Sequence, residues 1–168
     1  MTQLTVSINS DLLVRDVNGD YHQATTDQIL DAARQVIDSK MQRGSSFTSS
    51  CAVKQYLVTK LAGFDHEVFS VLFLDSQHRL IAYKEMFRGT IDGAPVYSRE
   101  VVKAALQHNA AAVIVAHNHP SGSTEPSTAD KKITQRLKSA LELVDVRVLD
   151  HIIVGGDDTA SFAELGLI

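Results

Sequence analysis

Apolar and polar positions alternate from the start of the chain. Over residues 3–23 the string "QLTVSI" has the period of two of a half-buried strand, "VNGD" carries an Asn-Gly turn and "DYHQAT" follows, which predicts a short hairpin. The period then becomes helical. In "TTDQILDAARQVIDSKMQ" the residues Ile29, Ala33, Val36, Ile37 and Met41 recur on one face, with Thr26 as the expected N-cap. "RGSSFTSS" (43–50) breaks that period with small polar residues and reads as a linker. A second helix over about 50–62 places Val53, Leu57 and Leu61 on one side.

Beyond it the pattern is of another kind. "EVFSVLFLD" (67–75) predicts a strand, "SQH" a turn and "RLIAYKEMFRGTI" (79–91) a return strand. "SREVVKAALQHN" (98–109) predicts a helix capped by Ser98. "AAVIVAHN" (111–118) is almost continuously apolar, as a central strand covered on both faces should be. A helix over 127–144 carries Ile133, Leu137, Ala140, Leu141 and Val144 on its stripe, and "VRVLDHIIVGG" (146–156) predicts another strand. Gly155-Gly156 reads as a turn, and the "SFAELGLI" tail is expected to close the sheet edge. The order β-β-α-β-α-β implies an α/β fold, one mixed β-sheet flanked by helices. Residues 1–46 are thus expected to form a hairpin-plus-helix appendage on a domain spanning 47–168.

Bulk properties narrow the function classes. With 168 residues and a formal net charge of −4, the chain has the length of one compact domain and no basic excess to attract nucleic acid, although a local basic face stays possible. One cysteine, Cys51, cannot form a disulfide within the chain and suits a reducing compartment. It is expected to be a small buried or partly buried residue. No apolar run reaches the roughly 18 residues of a membrane span. The N-terminus "MTQLTVSINSDLL" lacks the basic start and apolar core of a signal peptide. These features predict a cytoplasmic protein with no membrane role.

The chemistry concentrates in "VIVAHNHPSGSTEPSTAD", Val113 to Asp130. Alternate residues of a strand share a face, so His117 and His119 can aim at one point past the strand end, and Pro120 biases His119 toward extended backbone. Zinc usually takes four ligands and keeps one position open in catalytic sites. Pro120, Gly122 and Pro126 turn the chain, and Ser127 opens a helix whose first turn carries Asp130 back toward the strand end. Ser127-x-x-Asp130 is also close to a capping box, in which both side chains tie down backbone N–H groups.

The string His117-x-His119-x7-Ser127-x2-Asp130 resembles the JAMM (JAB/MPN) metallopeptidase signature. "HNHPSG", "FRGTID", "SREVVKAAL" and "DHIIVGG" resemble its RadC branch, over roughly residues 47–168. The resemblance implies a cytidine-deaminase-like mixed-sheet sandwich, Zn2+ held by His117, His119 and Asp130, and an oxyanion-stabilising role for Ser127. The family pattern also places a general-base glutamate upstream. Glu67, 50 residues before His117, is the choice, with Glu85 as the competitor on the neighbouring strand.

Other polar residues receive quieter readings. Asp150-His151 is expected to be a buried histidine bonded to a carboxylate or backbone, and Asn118 and Ser121 to shape the loop. His22, His66, His78 and His108 lack partner spacing for ligation. Longer RadC proteins carry an N-terminal helix-hairpin-helix associated with DNA, but residues 1–46 show no Gly-hairpin of that kind. The long insertions with which deubiquitinating members hold ubiquitin have no room here, and Asn118 stands where those members usually have Ser or Thr. Two function classes follow. One is a zinc-dependent hydrolase of a peptide or isopeptide-like amide bond. The alternative is a non-catalytic, DNA-repair-associated or DNA-binding accessory protein.

Overall fold

The structure is a computed structural model, and it describes residues 12–15, 17–40, 49–89 and 96–168. A short hairpin, β1 (Leu13–Arg15) and β2 (Tyr21–Gln23), precedes helix α1 (Thr26–Lys40). Helix α2 (Ser50–Leu61) leads into β3 (Val68–Leu74) and β4 (Leu80–Arg88). Then come α3 (Ser98–Gln107), β5 (Ala112–Asn118), α4 (Thr128–Glu142), β6 (Arg147–Gly155) and β7 (Asp158–Ser161). The five long-range strands form one mixed sheet in the order β4-β3-β5-β6-β7. Among the described strands only β5 and β6 run parallel, and α4 makes the crossover that a parallel pair requires.

The near-continuous apolar run of β5 has the predicted cause. All seven of its residues are buried, with a helical layer on each face. Ala112, Ile114 and Ala116 join Val68, Leu72, Val53 and Leu57 in the core under α2. Val113 and Val115 join Phe69, Val71, Val101 and Leu137 in the core under α3 and α4. Parity therefore sends His117 toward α3 and α4, and Asn118 toward α2.

Several local expectations change. The cap of α1 is Thr25 rather than Thr26. The Thr25 hydroxyl accepts the Gln28 N–H at 3.3 Å, and Gln28 Oε1 accepts the Thr25 N–H at 2.9 Å. This is a capping box begun one residue earlier. Ser98 is not a cap: Tyr97 occupies that position without a side-chain bond, and Ser98 is the first helical residue, buried. Cys51 is exposed, because it lies on the side of α2 turned away from Val53 and Leu57. The sheet edge is closed by β7, and the tail beyond it instead buries Phe162. Glycine 155 ends β6, and the turn follows at Gly156, whose φ is +65°.

The apolar face expected on α1 is only partly covered: no residue of α1 is buried, and Val36 is 54% exposed. Polar contacts supply much of its docking. Arg34 donates to the carbonyls of Lys60 and Ala62 at 3.3 and 2.6 Å, satisfying the C-terminal end of α2. Lys60 pairs with Asp38 at 2.9 Å. Residues 3–11 of the expected hairpin, residues 43–48 of the expected linker, Met41, and the last two residues of the expected return strand lie outside the described residues. Among the described residues, no helix is long and apolar enough to cross a membrane.

Candidate metal centre

The parallel pairing of β5 on β6 continues one step past Asn118, where the His119 N–H donates to the Val154 carbonyl at 2.8 Å. That bond keeps the backbone extended far enough for His117 and His119 to converge. Their Nε2 atoms stand 2.9 Å apart. Helix α4 brings the third group: Asp130 Oδ1 is 3.3 Å from His117 Nε2, and Oδ2 is 3.7 Å from His119 Nε2. Ligand atoms of the three residues all lie within 4.8 Å of one another, in a cluster able to hold a metal ion.

The turn chemistry that delivers Asp130 is the capping box itself. Ser127 Oγ accepts the Asp130 N–H at 3.1 Å, and Asp130 Oδ2 accepts the Ser127 N–H at 2.8 Å. The capping and metal readings therefore coexist, since Oδ1 stays directed at His117. His119 is oriented from behind, with Nδ1–H donating to the Ser123 carbonyl at 2.8 Å. Ser121 does shape this loop, as its Oγ accepts the Ser123 N–H. The loop also leans on Gly155, where an added Cβ would lie 2.4 Å from the Gly122 oxygen.

Charge and burial act differently on the three residues. Burial pushes the His117 pKa down to about 4, with the Asp130 charge opposing and His119 assisting. The carboxylate of Asp130, 3.7 Å from its Nε2, raises His119, with burial opposing and the Ser123 carbonyl and the charge of Glu67 assisting. For Asp130, burial works upward but is outweighed by the neighbouring His119, the Ser127 N–H and the nearby His117, which hold its carboxyl below the usual range. The set is thus two imidazoles and a carboxylate in a half-dry site.

An open groove of about 760 Å³ runs past the cluster, and Glu67, Phe69, His119, Ser127, Asp130 and Ile133 are among its lining residues. Glu85 is not among its described lining residues. It pairs across the sheet with Ser70 and lies 3.3 Å from Arg88. His22, His66, His78 and His108 also stand outside the cluster.

Two buried groups do more than the sequence reading assigned. Asn118 does not bond the loop. Its Oδ1 accepts the Val68 N–H at 2.8 Å and its Nδ2 donates to the His66 carbonyl at 3.0 Å. Those two atoms flank Glu67, so the residue between the histidines holds the backbone on either side of the glutamate. His151 does not bond a carboxylate or backbone through its ring. Its Nε2 is 2.8 Å from His117 Nδ1, and its Nδ1 is 2.6 Å from Thr134 Oγ1. Burial keeps its pKa well below the ordinary value. Asp150 instead fastens the C-terminal tail, accepting from Ser161 Oγ at 2.6 Å and the Ala163 N–H at 2.9 Å. Two signals pointed to the missed pair: a histidine inside an apolar strand must find a partner, and Thr134 lies one helical turn after Asp130.

Comparison with known proteins agrees with this geometry. A family model described as a RadC-like JAB domain matches residues 47–167. The UPF0758 protein of Vibrio cholerae is 58% identical over 139 residues, covering 83% of this chain and 87% of the relative. The UPF0758 proteins of Nitrosococcus oceani and Cellvibrio japonicus are each 59% identical, over 139 and 138 residues. There the match covers 62% of the relative, so the chain spans less than two thirds of these longer proteins. None of the names states an activity. The match takes in the whole sheet and every residue of the cluster, and on that extent the chain belongs to the RadC-like JAB domain family.

Proposed function

We propose that this protein is a zinc-dependent hydrolase of a peptide or isopeptide-like amide bond. One observation carries the reading: the convergence of His117, His119 and Asp130 beside a groove that also presents Glu67 and Ser127. The donor set fits zinc. Zinc–ligand bonds of about 2.0–2.1 Å at tetrahedral angles separate neighbouring ligand atoms by about 3.3 Å. The three separations in the cluster, 2.9, 3.3 and 3.7 Å, scatter about that value. Bound there, zinc supplies Lewis acidity, polarising the scissile carbonyl and lowering the pKa of water.

The chain's own residues supply the rest. Glu67 takes a proton from the attacking water and passes it to the leaving amine, as a positioned carboxylate can. Asn118 holds the backbone around Glu67 so that its carboxylate keeps that placement. Ser127 Oγ already accepts the Asp130 N–H, and its hydroxyl proton serves the oxygen of the tetrahedral intermediate. Phe69 and Ile133 line the groove and help to exclude bulk water from the reacting carbonyl.

Elemental analysis of the purified protein tests the site. One zinc per chain is expected in wild type and its loss in His117→Ala, whereas wild type that stays zinc-poor after reconstitution would overturn the proposal. A screen of quenched-fluorescent peptides and isopeptides then tests the chemistry. On any substrate that wild type cleaves, Glu67→Gln should retain zinc and lose about 100-fold or more in kcat. Unchanged turnover would remove Glu67 from the mechanism.

A further inference from the structure

The second nitrogen of His117 is bound into a buried chain of hydrogen bonds that leads back to Asp130. Thr134 Oγ1 is 2.6 Å from the Asp130 carbonyl and 2.6 Å from His151 Nδ1. His151 Nε2 is 2.8 Å from His117 Nδ1. Thr134 and His151 are fully buried, and the His151 ring lies against Phe69 and Phe162, with centroids 5.8 and 4.6 Å away. Each atom of the chain has a limited donor or acceptor role.

We propose that Thr134 and His151 are positioning residues that set the tautomer of His117, so that its Nε2 lone pair faces the metal. The inference rests on the reading of His117, His119 and Asp130 as a metal site. The carbonyl of Asp130 can only accept. At 2.6 Å two oxygens stay together only if a hydrogen lies between them, so the Thr134 hydroxyl donates to that carbonyl. The same oxygen then has only lone pairs to offer His151, and Nδ1 of His151 must carry the hydrogen. A neutral imidazole with Nδ1–H has a bare Nε2, which accepts from His117. His117 therefore carries its hydrogen on Nδ1, and its Nε2 is left bare toward His119 and Asp130.

The opposite polarity would leave the 2.6 Å contact between Thr134 Oγ1 and the Asp130 carbonyl without a hydrogen, and it would also defeat the site. If Thr134 donated to His151 Nδ1, every hydrogen along the chain would shift, and His117 would bear a proton on the nitrogen that faces the cluster. Metal-ligating histidines are generally oriented by a partner on the other ring nitrogen. Here that partner is a second histidine, whose own polarity is set by one hydroxyl. The arrangement also ties β5, β6 and the first two turns of α4 together at the atoms that matter for ligation.

The test uses histidine-labelled, zinc-free protein and long-range 1H–15N NMR to read which nitrogen of His117 and of His151 is protonated. Zinc affinity is measured in parallel by competition with a chelating dye. In wild type both rings should carry Nδ1–H. Thr134→Val removes the acceptor while keeping the shape, and should move the His117 proton to Nε2 and weaken zinc binding by about 10–100-fold. Thr134→Ser keeps the hydroxyl and should restore both readouts, which a purely steric role for the threonine would not require. A wild-type His117 with Nε2–H would overturn the proposal without any variant. So would a Thr134→Val protein with unchanged tautomers and zinc affinity within twofold. If wild type takes up no zinc, the metal site fails, and the tautomer result still decides the relay separately.

Discussion

Substituting Gly155 by alanine should damage the candidate metal centre from behind. Gly155 is the last residue of β6, and an ideal Cβ there lies 2.4 Å from the Gly122 oxygen and 2.9 Å from the Gly122 carbonyl carbon and Thr124 Cγ2. Ordinary contact begins near 3.4 Å, so the Gly122 peptide must retreat by about 1 Å. The obstructing atoms are mainly backbone, so no rotamer change relieves them. The retreat is transmitted directly, because the Gly122 N–H bonds the His119 carbonyl at 3.0 Å and the next residue supplies the carbonyl that orients His119 Nδ1 at 2.8 Å. A 1 Å displacement stretches that last bond beyond hydrogen-bonding range. Overpacking of this kind costs about 1–3 kcal/mol, and at roughly 3 °C per kcal/mol the Tm should fall by about 3–9 °C. Losing the orienting bond should weaken zinc binding by about 10–100-fold. Differential scanning fluorimetry and dye competition read the two effects. Removing the threonine methyl as well, in Gly155→Ala/Thr124→Ala, should not rescue, since the Gly122 carbonyl still blocks. A Gly155→Ala protein with Tm within 1 °C of wild type and zinc affinity within about twofold would refute the close approach and the reasoning built on it.

Two further expectations concern Asn118 and the two buried histidines. Asn118→Ala leaves the Val68 N–H and His66 carbonyl without their side-chain partner, at a cost of about 1–3 kcal/mol, and should lower turnover on any cleaved peptide while zinc content stays near one per chain; equal loss of both, or of neither, would contradict a clamp on Glu67. In the presence of chelator, stability should fall as pH drops from about 6.5 toward 4. In that window the unfolded chain protonates His117 and His151 while the folded chain resists, each contributing up to about 1.4 kcal/mol per pH unit. His119, whose pKa is raised, has the opposite sign, but its stabilisation is already complete below about 6.5 and is lost only as pH rises above that, so it does not offset the fall. Urea midpoints at pH 6.5, 5.5 and 4.5 that stay level or rise as pH falls would show that the two rings are not held neutral.

Much of the molecule was legible from spacing. A strand repeats its faces every two residues and a helix nearly every four, so the apolar run at 111–118 and the stripe at Ile133, Leu137, Leu141 and Val144 specified a central strand and a covering helix. The same periodicity placed His117 and His119 on one side, and the turn residues between them and Ser127 returned Asp130 to the strand end. These are local geometries, set by φ/ψ preferences and caps within about a dozen residues. What spacing could not supply is contact between segments far apart in the chain. The bond between His117 and His151 joins residues 34 apart, and Asn118 reaches back 50 residues to Val68. Both depend on the register of β5 against β3 and β6, which the packing of two helical layers selects among pairings of similar local propensity. The polarity of the Thr134–His151 chain is more remote still from the sequence. It follows from which donors and acceptors are buried together, where water is absent and each hydrogen must find its acceptor within the fold.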